Sequence, residues 1–219
     1  MVTQSEENYI KAIYHLGKQG VQPVSTNAIA EQMETKASSV TDMVKKLAEK
    51  NLANYIKYQG VSLTEIGRLT ATSVIRKHRL WEVFLVDKLN FSWDEVHEVA
   101  EQLEHIKSEK LINKLDEFLG FPKTDPHGDP IPDKEGNFTK ISKMLLWECN
   151  IGDEGIFVGV EDSSASFLQY LDKQHISLGD KIKVLYKEEF DQSLEISRSG
   201  TVISLSHKTS SNIYLQKKK

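Results

Sequence analysis

The sequence predicts a mainly α chain in which helices come first and a small β-barrel comes last. Three observations carry this prediction. Apolar residues recur at three- and four-residue spacing up to about Gly120, four of the five prolines crowd into residues 122–136, and after residue 151 five short runs are strand-like. With 219 residues, 39% hydrophobic and 27% charged, the chain suits two or three small globular domains and excludes disorder as its main state. No apolar run approaches the roughly 20 residues of a membrane helix. The first residues lack the basic flank and apolar stretch of a secretory signal. The single cysteine, Cys149, makes no internal disulfide and fits a cytoplasmic protein.

The first helix runs over Glu6 to Leu16, with Tyr9, Ile10, Ala12, Ile13 and Leu16 on one stripe, and Gly17 and Gly20 stop it. Ser25 or Thr26 caps a short helix through Met33, and Ser38 or Ser39 opens another from Val40 to Lys50. Two short helices joined by Glu34 to Ala37 match a helix-turn-helix, whose second member presents Ser38, Ser39, Thr41, Asp42, Lys45 and Lys46. Two β-prone runs around Gln59-Gly60 then read as a hairpin. Helix, helix-turn-helix and hairpin in this order make a winged helix with Lys57 on the wing, and a plain helical bundle with an incidental hairpin is the alternative.

From Thr64 a helix without proline continues to about Leu89, of the kind that joins domains or lies in a dimer interface. Ser92 with Glu95 reads as a capping box, opening a helix to about Ile106, and Ser108 opens a further one that ends at Gly120. The proline-rich stretch 122–136 is ordered loop or linker. Five strand candidates follow, at Gly155, Lys181, Leu194, Gly200 and Asn212, with a short helix near Ser166 to Asp172. The basic tail Lys217 to Lys219 reads as a solvated end.

Net charge is −4, but residues 1–79 carry 11 basic against 7 acidic side chains, and the remainder carries 17 against 25. A locally basic start on an acidic chain suits one polyanion-binding domain and others that sense or assemble. His78 and Glu82 stand four apart, as do His97 and Glu101, and Glu101 and His105; Glu101 and Glu104 stand three apart. Each pair shares a helical face. Carboxylates and imidazoles converging in this way are compensated by a divalent cation or are solvated i,i+4 partners, and both readings stay open on spacing alone. An oxygen-rich set with one or two imidazoles suits manganese or iron(II).

The stretches Glu7-Asn-Tyr-Ile-Lys-Ala-Ile-Tyr, Ser39-Val-Thr-Asp-Met-Val-Lys-Lys-Leu, Leu63-Thr-Glu-Ile-Gly-Arg, Arg76-Lys-His-Arg-Leu-Trp-Glu, His97-Glu-Val-Ala-Glu-Gln-Leu-Glu-His and Asp125-Pro-His-Gly-Asp-Pro-Ile-Pro resemble the diphtheria-toxin-repressor family of metal-dependent transcriptional repressors. The resemblance covers residues 5 to about 140, and the β-rich end resembles the family's SH3-like module. It implies a winged helix-turn-helix DNA-binding domain over 1–70, a helical metal-binding and dimerisation domain over 71–140 and a small SH3-like β-barrel over 150–219.

Carried over by position, the resemblance implies one metal site at His78, Glu82 and His97. It implies a regulatory site at Glu101, Glu104 and His105, completed by Asn8. The iron-sensing branch has cysteine at position 101 and methionine at position 8, whereas the manganese-sensing branch has acids at both, so Glu101 agrees with manganese and Asn8 departs from it. Lys11 stands where the manganese branch has a carboxylate, which favours two separated sites over one two-metal cluster. The module's own ligands match Ser163 and Ser166, with Glu161 and Asp162 nearby.

The expected function is a Mn2+-activated repressor of metal-uptake genes, with Fe2+ as the alternative activator, binding double-stranded operator DNA as a homodimer. No membrane and no small-molecule substrate enter this reading. A metalloenzyme would need an open coordination position and a base such as the Glu of an HExxH helix, a motif this sequence lacks. A metal-independent winged-helix protein is the remaining alternative.

Overall fold

The computed structural model describes residues 2–217; Lys218 and Lys219 of the basic tail lie outside the described residues, and Lys217 pairs with Asp153 at 2.6 Å. The chain divides into two compact units, one of Met1–Trp81, Ala100–Phe118 and Ile131–Phe138, the other of Glu82–Val99, Leu119–Pro130 and Thr139–Lys219.

In the first unit, α1 (Gln4–Leu16) starts at a capping box in which the Thr3 hydroxyl accepts from the Glu6 amide and the Glu6 carboxylate accepts from the Thr3 amide. Gly17 ends it. Ser25 caps α2 (Thr26–Gln32), accepting from the Ala28 amide. Helix α3 (Ala37–Glu49) begins one residue before Ser38 and two before Ser39, the two expected caps, and has no side-chain cap. Ala37 is half-buried against the core and Val40 fully buried, so packing sets the start and leaves Ser38 and Ser39 in the exposed first turn.

Strands β1 (Ala53–Ile56) and β2 (Gly60–Leu63) form the wing, paired Ala53 with Leu63 through Ile56 with Gly60, and Val24 bridges to Val61 on the other side. Ile10, Ile13, Ile29, Val40, Val44, Leu47, Val61 and Leu63 close one core under α1, α2, α3 and the wing. Gly67, near the start of α4 (Glu65–Leu89), has to be glycine because a Cβ there would lie 1.9 Å from the Leu52 carbonyl oxygen. Helix α6 (Glu109–Phe118) is tied by an Arg76–Asp116 pair of 2.5 Å. The unit boundary cuts α4 after Trp81 and α5 (Val96–Leu103) after Val99. Helix α5 starts after a turn at Trp93–Glu95, later than the expected Ser92 cap, although the Ser92 amide does donate to the Glu95 carboxylate.

The second unit holds β3 (Met144–Leu145), β4 (Glu154–Val160), α7 (Ala165–Lys173), β5 (Lys181–Lys187), β6 (Leu194–Arg198), β7 (Thr201–Leu205), α8 (His207–Ser210) and β8 (Ile213–Lys217). The strands pair antiparallel in the order β3-β8-β4-β5-β6-β7. This corrects the expected closed SH3-like barrel: the sheet is open, with β3 and β7 as its two edges. Closure requires every strand to have two neighbours along its length. Strand β3 offers two residues for that, and on β7 Val202 is 58% exposed. The five expected strands are all present; the missed one is β3, too short to carry an alternating pattern. Phe157, Leu168, Leu171, Ile182, Val184, Leu194, Ile196, Ile213 and Leu215 form the core on one face. No helix among the described residues is long and apolar enough to cross a membrane.

Candidate metal centre and nucleic-acid interface

Helix α1 places Glu7, Asn8 and Lys11 at three- and four-residue spacing, beside the last turn of α5 and the residues that follow it. The Lys11 ammonium donates to Glu101 at 2.5 Å and to both oxygens of Glu104 at 2.7 and 2.8 Å. The Glu104 carboxylate, 0% exposed, also meets His78 Nδ1 at 2.7 Å. Burial pushes the Glu104 carboxyl up, but the His78 hydrogen bond and the Lys11 ammonium together outweigh it and hold the group below the usual carboxylate range. His105 Nδ1 lies 2.6 Å from Glu7 Oε2, and its Nε2 lies 3.8 Å from Glu104 Oε1. Lys77, buried with its ammonium 3.9 Å from Glu7, has a lowered pKa because desolvation exceeds the attraction of Glu7 and Glu104.

Asn8 lines a cavity of about 370 Å³ together with Lys11, His15, Glu34 and Glu101. Its Oδ1 is buried and accepts no hydrogen bond. An orphaned acceptor of this kind costs about 1–3 kcal/mol, which a cation would relieve. Two carboxylates, one imidazole and an amide oxygen make a hard donor set for a single divalent ion of the manganese or iron(II) kind.

The second unit holds a cluster of its own residues. Ligand atoms of Glu82, Asp125 and His127 all lie within 4.8 Å of one another, and all three residues are buried. Glu82 Oε1 is 3.7 Å from His127 Nδ1 and 3.6 Å from the exposed His97 Nδ1. The loop that carries Asp125 and His127 is built by its own sequence. Asp125 Oδ1 accepts from the amides of His127 and Asp129 at 2.8 and 2.9 Å, an Asx turn. Gly128, at φ +85°, is obligatory because a Cβ would lie 1.9 Å from the Val158 carbonyl oxygen. His127 Nε2 donates to the Trp93 carbonyl at 2.7 Å. Burial lowers the His127 pKa, but the nearby Glu82 carboxylate, with Asp125 and the Trp93 carbonyl, raises it to about 9.

Of the residues expected as ligands from the sequence, Glu101 and Glu104 share the Lys11 ammonium in the first unit, where His78 bonds Glu104 and His105 Nε2 lies 3.8 Å from Glu104. Glu82 and His97 meet in the second. Ser163 and Ser166 are exposed, Asp162 accepts from the Ser164 amide, and Glu161 accepts from the Tyr214 hydroxyl. Glu7, Asp125 and His127 were missed. The signal for the last two was the Asp125-Pro-His-Gly-Asp loop, recognised as a mark of resemblance but not as a source of donors.

On α3, Ser38, Ser39, Asp42, Lys45 and Lys46 are exposed, while Thr41 is half-buried and donates its hydroxyl to the Ala37 carbonyl. On the wing Lys57 is exposed, its ammonium 4.9 Å from the ring of Tyr58, itself 93% exposed. A positive helix face beside a positive wing tip suits a phosphate backbone.

Comparison with known proteins joins these parts. Residues 1–61 match the N-terminal DNA-binding domain of iron-dependent repressors, and residues 64–133 match their metal-binding and dimerisation domain. The solved structure of a manganese-dependent transcriptional repressor in complex with manganese is 36% identical, covering 97% of this chain and 99% of that one at a TM-score of 0.87. The chain belongs to the iron-dependent repressor family, which includes the diphtheria toxin repressor.

Other family members extend the picture. ScaR with bound Zn2+ is 33% identical over 97% of this chain and 99% of that one, at a TM-score of 0.75. The iron-dependent repressor IdeR of Mycobacterium tuberculosis is 37% identical over 131 residues, 60% of this chain, which spans 56% of the length of that relative. A third match corrects the expected SH3-like module: residues 144–217 match the FeoA domain, and the sheet they form is open.

Proposed function

We propose that this chain is a manganese-activated repressor that binds double-stranded operator DNA of metal-uptake genes as a homodimer. Asn8, Glu101, Glu104 and His105 hold the ion, and His78 supports Glu104 from behind. A bound Mn2+ supplies a divalent charge shared among oxygen and imidazole donors. The observation that carries the reading is the buried, partnerless Asn8 Oδ1 on α1, in one cavity with Glu101.

Helix α1 belongs to the reading head. Ile10 and Ile13 pack in one core with Val40, Val44 and Leu47 of α3, so restraint of Asn8 relative to Glu101 and Glu104 is passed to the recognition helix. In a two-fold dimer the two recognition helices must sit one helical turn of DNA apart, and restraint raises the population that does so. Lys45, Lys46 and Lys57 meet phosphates; Ser38, Ser39, Thr41 and Asp42 stand nearest the base edges. Glu82 and His97, with Asp125 and His127, offer a second metal position. Iron(II) is the alternative activator, supported by the names of the curated relatives; the oxygen donor Glu101, where the iron-sensing branch has cysteine, favours manganese.

The test is operator-fragment binding by the purified chain under anaerobic conditions with a chelator, then with manganese, iron(II) or zinc added. Chelator should weaken binding and manganese restore it. Binding indifferent to chelator would leave a metal-independent winged-helix protein.

A further inference from the structure

We propose that Lys11 is a tethered competitor for the cation position, holding the metal-free site closed until its ammonium withdraws. The inference rests on the reading of Asn8, Glu101, Glu104 and His105 as the ligand set, and adds what occupies those carboxylates beforehand. Three observations support it. The ammonium contacts three carboxylate oxygens of the two proposed ligands, at 2.5, 2.7 and 2.8 Å, so those oxygens are engaged before any ion arrives. The pair is sheltered, Lys11 being 15% and Glu104 0% exposed at the side chain, so its attraction is weakly screened.

The third observation is a place for the ammonium to go. The 370 Å³ cavity beside the cluster is lined by Lys11 itself and by Asn8, His15, Gln32, Glu34 and Glu101. A four-carbon stem with rotatable bonds lets the lysine swing its head group toward the Glu34 side of that cavity. One ammonium balances only one of the two carboxylates, whereas a divalent ion balances both. Lys11 thus keeps Glu101 and Glu104 from repelling each other when metal is scarce, and sets a threshold below which ions do not displace it.

The experiment uses the full chain, stripped of metal, with Mn2+ alone as probe. Lys11→Met, which keeps the stem and removes the charge, should bind Mn2+ about tenfold more tightly by calorimetry, equivalent to about 1.4 kcal/mol. The same variant should melt at a lower temperature than the native chain without metal, with the gap closing when Mn2+ is added. Lys11→Arg should stay near native affinity. In the native chain, which needs no substitution, an amine-reactive label should modify Lys11 several-fold faster once Mn2+ is saturating. Unchanged or weaker Mn2+ binding by Lys11→Met, or labelling of Lys11 that Mn2+ does not alter, overturns the proposal. If Glu104→Gln leaves native Mn2+ affinity untouched, the ligand assignment fails as well; if Glu104→Gln abolishes binding while Lys11→Met changes nothing, only the competition is wrong.

Discussion

The two carboxylate–imidazole clusters solve one electrostatic problem in different ways. In the first unit the charge on Glu104, in the turn after α5, is met by a lysine from α1, at the end of a long flexible stem. In the second, Glu82 is met by His127, whose ring is held between Glu82 and the Trp93 carbonyl on a loop locked by Asp125 and Gly128. A flexible partner can leave without disturbing the backbone, whereas a ring fixed on a turn cannot. The contrast teaches that the charge partner of the first cluster is free to move, whereas that of the second is fixed by its backbone.

The largest expected effect tests the first half of that contrast. Glu104→Gln should remove the manganese stimulation of operator binding, about 5- to 150-fold in affinity, as measured by titrated gel shift or anisotropy. Retained stimulation would end the assignment of the switch to this cluster. His127→Ala tests the second half. It removes the His127 ring from beside the buried Glu82 carboxylate, so the chain should lose about 3 kcal/mol in urea unfolding, while manganese still stimulates operator binding. If this substitution abolished the metal response as fully as Glu104→Gln, the two clusters would not divide the labour as described.

A smaller effect separates both clusters from the DNA face. Lys57→Ala should weaken operator binding equally with and without manganese and reduce the slope of affinity against salt by about one ion. A changed metal response would implicate the wing in the switch.

The smallest effect calibrates the lysine–carboxylate pair itself. Glu6 meets Lys50 at 2.7 Å. Burial raises the Glu6 carboxyl, yet hydrogen bonds from Lys50 and Thr3, with the lysine charge, hold it below its ordinary value. A depressed carboxylate stabilises the fold above its unfolded-state pKa and loses that contribution as pH falls through the folded value. Glu6→Gln should therefore cost about 1 kcal/mol at pH 7, after allowance for the exposed lysine, and the difference from native should shrink below about pH 4. A difference constant with pH would assign the effect to the capping hydrogen bond.

Much of this molecule was legible beforehand, for local reasons. Apolar spacing placed α1, α2, α3 and the five longer strands within a few residues, because each buries one face and local periodicity records which one. The spacing of His78, Glu82, His97, Glu101, Glu104 and His105 also revealed that ligand-type side chains crowd two helices. Less was legible where long-range pairing decides. An alternating pattern shows that a strand has a buried face but not whether its far edge meets another strand, so the open sheet was read as a barrel.

What the sequence by itself determined is the order of elements, the reading head and the donor types, since these follow from composition and period along the chain. Which donors meet was decided only by the fold. Lys11 reaches residues 90 and 93 positions away, and Asp125 and His127 reach Glu82 from a separate loop. Such partnerships depend on where the core sets each backbone, and a charge in a sequence carries no mark of the opposite charge that burial will force upon it.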